Sequence, residues 1–291
     1  MLLGGLESGG TKMVCAIGDE NGRIVEKQTF ATDAPEATMP QIIDFFKSNK
    51  IIALGVASFG PVDLDMRSPT YGYITSTTKL QWRNYNIIGT LKNALNVPCG
   101  FDTDVNGAVL GEVTYGCMRG LSNGLYMTVG TGIGIGVYAN GALLHGMLHP
   151  EAGHVLVKRH PDDTFKGCCI YHGDCLEGLA SGTALKERLG YSAESVGIDN
   201  PVWKFESYYI AQAIASYILV LSPEKIVLGG GVMSRSELFP MIREDVLTFL
   251  NGYIKAKQID NIDEYITPAA LNGEQAVMGC MKLAYDAACS S

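Results

Sequence analysis

Runs of lysine or arginine are absent from this sequence of 291 residues, and its 22 basic side chains are outnumbered by 30 acidic ones. The formal charge of −8 disfavours a nucleic-acid partner, because phosphate backbones are held by clustered cations. Long apolar runs are missing as well. Stretches such as Ile210–Leu221 (IAQAIASYILVL) are too short and too polar to cross a bilayer. The opening MLLGGLESGGTK has no basic n-region and no cleavage site, so no signal peptide is expected. There is no low-complexity segment, no linker and no GxxxxGK[ST] phosphate loop, and the first glycine turn does not give a GxGxxG fingerprint.

What remains is the composition of a folded protein, with 47% hydrophobic and 18% charged residues. The length favours two domains over one. Eight cysteines would suit a disulfide framework only in a small secreted chain. Here Cys15, Cys99 and Cys280 sit inside apolar runs, and only Cys168, Cys169 and Cys175 cluster. Reduced thiols in the cytoplasm, with one metal-type cluster, fit that distribution.

The chain repeats its own grammar. Strands are expected over Leu2–Ser8, Lys12–Ile17 and Arg23–Thr29, separated by Gly9-Gly10-Thr11 and Gly18–Gly22. About 120 residues later come Gly124–Val129, Gly130-Thr131-Gly132, Ile133–Tyr138, an Asn-Gly turn and Ala142–His145. After the first unit the patterns predict helices at Thr38–Phe46, Ile87–Leu95 and Asn106–Tyr115, with strands at Ile51–Ala57 and Val97–Phe101. After the second they predict helices over Leu176–Leu189, Lys204–Leu221, one ending near Leu250 and one over about 273–288, with a strand at Lys225–Leu228. Two similar α/β domains with mixed sheets, facing each other across a cleft, are the expectation. The first comprises residues 1–115 and the C-terminal helix (about 273–291), and the second residues 116–272.

Three glycine patches suit phosphates and a nucleotide. Gly9-Gly10-Thr11 ends a strand, and glycines let backbone N–H groups approach an anion closely. A glycine hairpin by itself is weak evidence, but a second at Gly130-Thr131-Gly132 could close on the same polyphosphate. Gly229-Gly230-Gly231 follows another strand and offers bare backbone. At a strand-to-helix junction, FDTDVNG carries Asp102 and Asp104. Either carboxylate there can act as general base on a sugar hydroxyl, with the nearby Asn to orient the substrate, or one can merely cap the helix.

The segment GHVLVKRHPDDTFKGCCIYHGDCLE holds three histidines and three cysteines. His154, Cys169, His172 and Cys175 form H-x14-C-x2-H-x2-C, a nitrogen and sulfur set of the kind that holds tetrahedral Zn²⁺. Cys168 competes with Cys169, at looser spacing. Glu151 and Glu177 flank these ligands and are placed to bind substrate hydroxyls. His149 and His160 match no pattern and are expected at the surface. Because the glycine turns lie elsewhere in sequence, loss of the metal is expected to spare binding of the nucleotide.

LESGGTK, FDTDVNGA, TVGTGIG, EAGH, the Cys/His cluster ending CLEGLASG, and IVLGGGV occur in the order found in ROK-type sugar kinases. The resemblance spans nearly the whole chain and is greatest to the zinc-containing bacterial fructokinases, which carry a CxxHxxC variant. It implies an actin-like, ribonuclease-H-like ATPase fold that binds a hexose and MgATP. By motif, Asp104 matches the catalytic base, while Glu151, His154 and Glu177 match sugar-contacting positions, as does Thr103 where glucokinases have Asn. Gly9, Gly10, Thr11 and Lys12 match one phosphate turn, Gly130, Thr131 and Gly132 the other, and Gly229, Gly230 and Gly231 the adenosine patch. Glu7-Ser8 stands where many relatives have Asp-Ile, which alters the route of contact to Mg²⁺. The expected activity is phosphorylation of D-fructose at its 6-hydroxyl, with structural Zn²⁺, by a cytoplasmic homodimer. The rivals are the same reaction on mannose, glucose or an N-acetylhexosamine, and a non-catalytic sugar-sensing module.

Overall fold

The structure is a computed structural model that describes residues 1–290. The chain divides into two compact units. The first holds Met1–Gly120, Leu143–His149 and the stretch from Ala270 onward; the second holds Leu121–Ala142 and Pro150–Ala269.

In the first unit the strands lie in the order Ile24–Ala31, Lys12–Gly18, Leu3–Ser8, Ala53–Ser58, Cys99–Thr103. Leu3–Ser8 pairs antiparallel with Lys12–Gly18 and parallel with Ala53–Ser58. Alternation decides which face each side chain meets. Leu6, Met13, Cys15 and Ile17 pack against Ile42 and Phe46 of the helix Pro35–Asn49. Leu3, Val14 and Ala16 take the other face, against Val277 and Met281 of the helix Gln275–Cys289. That helix packs so tightly on the helix Asp104–Thr114 that a Cβ on Gly279 would lie 1.8 Å from the carbonyl oxygen of Gly107. Only a glycine fits there.

The register fixes where the unit is open for chemistry. Ser8 pairs with Ser58 and Ser58 with Thr103, so the glycine turn after Ser8 and the junction after Thr103 leave the same edge of the sheet. Ligands of α/β sheets bind at such carboxyl ends.

The second unit repeats this design. Its order is Ala142–Leu143, Ile133–Ala139, Gly124–Val129, Lys225–Gly229, Ile266–Pro268, with Ile133–Ala139 antiparallel to Gly124–Val129 and the later pairs parallel. Thr128 pairs with Gly229, so the turns at residues 130–132 and 229–231 also share an edge.

Several local expectations are revised. The helix expected over Leu176–Leu189 is two helices, Leu176–Ala180 and Gly182–Leu189. Ser181 breaks it with extended backbone (φ −79°, ψ 163°), and its hydroxyl caps the second piece by accepting from Ala184 N–H. The strand expected to reach His145 stops at Leu143. The helix expected from about Asn106 begins at Asp104, and its N-cap is Thr103, not an aspartate. No helix among the described residues is long and apolar enough to cross a membrane.

Candidate active site

The junction after the strand Cys99–Thr103 separates its two aspartates by role. Asp102 is buried and its carboxylate is filled. Oδ1 accepts from Thr103 N–H at 2.8 Å and Asn106 Nδ2 at 2.7 Å, and Oδ2 accepts from His145 Nε2 at 2.9 Å. Asp104, two residues on, is only partly buried and accepts from Val105 N–H at 2.9 Å. Burial pushes its carboxyl up to about 6, against the lowering effect of backbone hydrogen bonds. Asp102 is therefore the carboxylate that organises its neighbours, and Asp104 the one whose pKa is raised. Thr103 is buried, and its hydroxyl accepts from Asn106 N–H at 3.1 Å while keeping one proton to donate.

Glu7 ends on the same sheet edge. Burial first, then the charge of Asp104, raise its carboxyl to about 7, with Lys12 and Lys27 pulling the other way. The turn after it is closed by Gly9 N–H donating to Lys12 carbonyl at 3.0 Å, which leaves Thr11 and Lys12 exposed.

In the second unit three elements converge. Gly130 N–H donates to Gly132 carbonyl at 2.9 Å, and Gly182 N–H donates to Gly130 carbonyl at 2.7 Å. The N-terminus of the helix Gly182–Leu189 thus abuts this turn, and Thr183 Oγ1 donates to Thr131 carbonyl at 2.7 Å. Gly230 has φ +90°, and a Cβ there would lie 2.4 Å from Val129 carbonyl, so the second glycine patch folds onto the strand preceding the first. Nothing would obstruct a Cβ at Gly231, which is open backbone. The part played by Ser181-Gly182-Thr183 was not read from the sequence, although SGT after an apolar turn is a helix-start signal.

His154, Cys169, His172 and Cys175 come together, with their ligand atoms all within 4.8 Å of one another. Cys169 Sγ is 3.7 Å from His154 Nδ1 and 3.6 Å from His172 Nδ1, and Cys175 Sγ is 3.5 Å from His154 Nδ1. A tetrahedral zinc with bonds of about 2.3 Å to sulfur and 2.0–2.1 Å to nitrogen sets such atoms about 3.6 Å apart. The donor set fits zinc in type and in spacing. Burial pushes the Cys175 thiol up, so a cation would be needed to hold it as thiolate. Cys168 lies outside the set, with its thiol toward Ser181.

The loop carrying these residues is also pinned from beneath. Buried Asp163 accepts from Arg188, from Tyr209 Oη at 2.6 Å and from Phe165 N–H at 2.9 Å. Gln212 clamps Lys158 through both backbone groups, and Tyr217 Oη donates to Ala152 carbonyl at 2.6 Å. These bonds support the loop independently of any metal.

Glu151 and His154 bracket one turn of 3₁₀ helix, where His154 N–H donates to Glu151 carbonyl at 3.0 Å. Glu177 Oε1 is 3.8 Å from His154 Nε2, and its Oε2 accepts from Ile133 N–H at 3.0 Å. The zinc-type cluster and the turn at residues 130–132 are thereby joined, contrary to their separation in sequence. Two histidines are corrected. His149 is buried and accepts from Val62 N–H at 3.1 Å through Nε2. His160 is largely covered by Phe205 and Tyr208, edge to face. Neither is a surface residue, because aromatic and backbone partners distant in sequence enclose them. His145 was not singled out in the sequence, and the Asp102 hydrogen bond holds its pKa above the ordinary value.

Comparison with known proteins bears on this geometry. The sequence profile of the ROK family matches residues 3–287. The fructokinase of Lactococcus lactis subsp. cremoris is 45% identical over 284 residues, covering 97% of this chain and 96% of its own. That of Pediococcus pentosaceus is 42% identical over 284 residues and 98% of each chain. Among solved structures, a ROK family glucokinase from Streptomyces griseus in complex with glucose and AMPPNP superposes with a TM-score of 0.75 at 23% identity, over 98% of this chain and 100% of that one. The fold is that of these kinases, the actin-like ATPase fold.

Proposed function

We infer the reaction from one premise: this chain belongs to the ROK family. It is an ATP-dependent hexose kinase, a fructokinase that transfers the γ-phosphoryl group of ATP to the 6-hydroxyl of D-fructose. The observation that carries the chemistry is Asp104, a partly buried carboxylate at a helix N-terminus with its pKa raised to about 6. The hexose follows from full-length identities above 40% to fructokinases.

In this reading the sugar hydroxyl loses its proton as its oxygen attacks phosphorus, and Asp104 receives it. A pKa near 6 leaves the carboxylate ionised at neutral pH yet basic enough to hold a proton in transit. The groups assigned to phosphate are the backbone N–H groups of Gly10 and Thr11 with the Lys12 ammonium in the first unit, and those of Thr131 and Gly132 in the second. The adenosine lies over Gly229–Gly231, of which Gly231 is the open backbone. Mg²⁺ arriving with ATP would supply divalent charge that offsets the charge of the phosphates. Glu7 is the residue suited to hold it, since its carboxyl stays near neutrality until a cation comes.

Glu151, His154 and Glu177 in the second unit, with Thr103 in the first, are the proposed sugar-binding groups. Zinc on His154, Cys169, His172 and Cys175 would fill all four positions with protein atoms, which makes it a structural ion with no site for substrate. That none of the eight cysteines is in a disulfide fits a cytoplasmic enzyme, and sedimentation tests the homodimer.

A coupled ADP-release assay across six hexoses tests the reading. The highest kcat/KM is expected with fructose. Preference for mannose, glucose or an N-acetylhexosamine would replace the sugar. Sugar binding without turnover would favour the sensing module.

A further inference from the structure

The segment Leu143–His149 belongs to the first unit and is fastened there by two histidines. His149, buried, takes the N–H of Val62, and His145 gives its Nε2 proton to Asp102. The second of these bonds has an unusual setting. Asp102 is buried and immobilised by Thr103 N–H and Asn106 Nδ2, so the imidazole that binds it is oriented by a fixed acceptor. Asp102 stands two residues before Asp104, at the strand end where the first phosphate turn also emerges. Yet the ring is no core residue, for 41% of its side chain is exposed. The same network leaves Asn106 Oδ1 buried without a partner among the described residues, which marks a polar site short of one donor.

A histidine pinned at Nε2 has only Nδ1 left to offer. Because Asp102 accepts, Nε2 carries the proton, and Nδ1 is an acceptor in the neutral ring or a donor in the charged one. A sugar hydroxyl can answer either. A histidine whose task was only to brace Asp102 would gain nothing from keeping its other edge exposed.

We propose that His145 is a specificity-determining residue, oriented by Asp102 so that Nδ1 hydrogen-bonds a hydroxyl of the hexose held at Asp104. The proposal rests on the kinase reading and deepens it by naming the group that discriminates among hexoses. A site built to bond a hydroxyl rejects sugars that present it differently, because its polar partner then loses that bond.

Two substitutions separate the edges of the ring. His145→Asn places an amide atom near the Nδ1 position and gives up the reach to Asp102; His145→Gln does the reverse. With Nδ1 on the sugar, His145→Gln raises fructose KM by about tenfold to a hundredfold and shifts the fructose-to-mannose kcat/KM ratio at least about fivefold. His145→Asn, which keeps an atom for the sugar but loses the orienting bond, raises fructose KM less than His145→Gln does, and ATP KM is unchanged in both. The opposite ranking, or losses equal for every hexose, would overturn the proposal and leave His145 as a brace. Should either variant fold poorly, ¹⁵N-histidine spectra of the wild-type enzyme decide. Saturating fructose should shift His145 Nδ1 far more than Nε2, and no shift refutes the contact. If another hexose proves to be the substrate, the same spectra are taken with that sugar, so an error in the sugar is distinguished from an error about His145. If no hexose is bound or phosphorylated, both readings fall.

Discussion

Glu177 faces His154 across 3.8 Å, Oε1 to Nε2, on the side of the ring away from the thiols. Its other oxygen takes the N–H of Ile133, the residue after the second glycine turn. One carboxylate therefore ties the metal-type cluster to the turn at residues 130–132, and this changes what loss of a metal should do.

Purified protein should carry about one zinc per chain, and stripping it should raise sugar KM and lower turnover by about a hundredfold. Misplacing binding groups by about 1 Å costs that much. ATP affinity should also fall, though less, because Glu177 would slacken its hold on Ile133; the sequence alone suggested it would be spared. Added Zn²⁺ should restore activity and added Mg²⁺ should not. Metal content near zero in active protein prepared without chelator would dispose of the zinc assignment.

Cys169→Ser should lose the metal, and Cys168→Ser should keep it, since the Cys168 thiol turns toward Ser181 and not into the cluster. Metal analysis of the two variants reads this directly. The reverse result would exchange the two cysteines.

Asp104→Asn should lower turnover at least about a hundredfold while sugar and nucleotide still bind. The same change should stabilise the protein at pH 8 by up to about 3 kcal/mol, the free energy of holding a carboxylate ionised when its pKa has been raised by about two units. The sign follows from the raised folded pKa. That group's contribution to stability is whole below the unfolded value and is lost as pH rises through about 6, so asparagine gains nothing at pH 3.5. Denaturation curves at the two pH values provide the check, and a less than tenfold fall in turnover would move the base elsewhere.

The wild-type rate itself should fall below about pH 6, tenfold per pH unit, as Asp104 takes up its proton. A kcat/KM profile that stays flat to pH 4.5 would contradict a base of this pKa.

Gly279→Ala should destabilise the first unit by at least about 2 kcal/mol, since the new Cβ would sit 1.8 Å from a backbone carbonyl that cannot move without its helix. Thermal melting measures it. The loss should extend to activity, because the displaced helix is the one that begins at Asp104.

Much of this protein was legible in its sequence wherever the information is local. The helix Ile87–Leu95 and the strand Gly124–Val129 lie where apolar period and turn residues put them. The spacing C-x2-H-x2-C suffices to name a zinc-type set, because a short loop brings such ligands together whatever surrounds it. The doubled pattern of strand, glycine turn and strand appears as two five-stranded sheets of corresponding order. Tertiary structure alone decided the rest. That Asp102 is saturated while Asp104 is not depends on His145, 43 residues away. The burial of His149 depends on Val62, 87 residues away, and the link from Glu177 to the second turn spans 44. Such pairs carry no period and no fixed spacing. Their partners are backbone N–H groups and polar side chains that every segment possesses, so only the packing of the chain determines which of them meet.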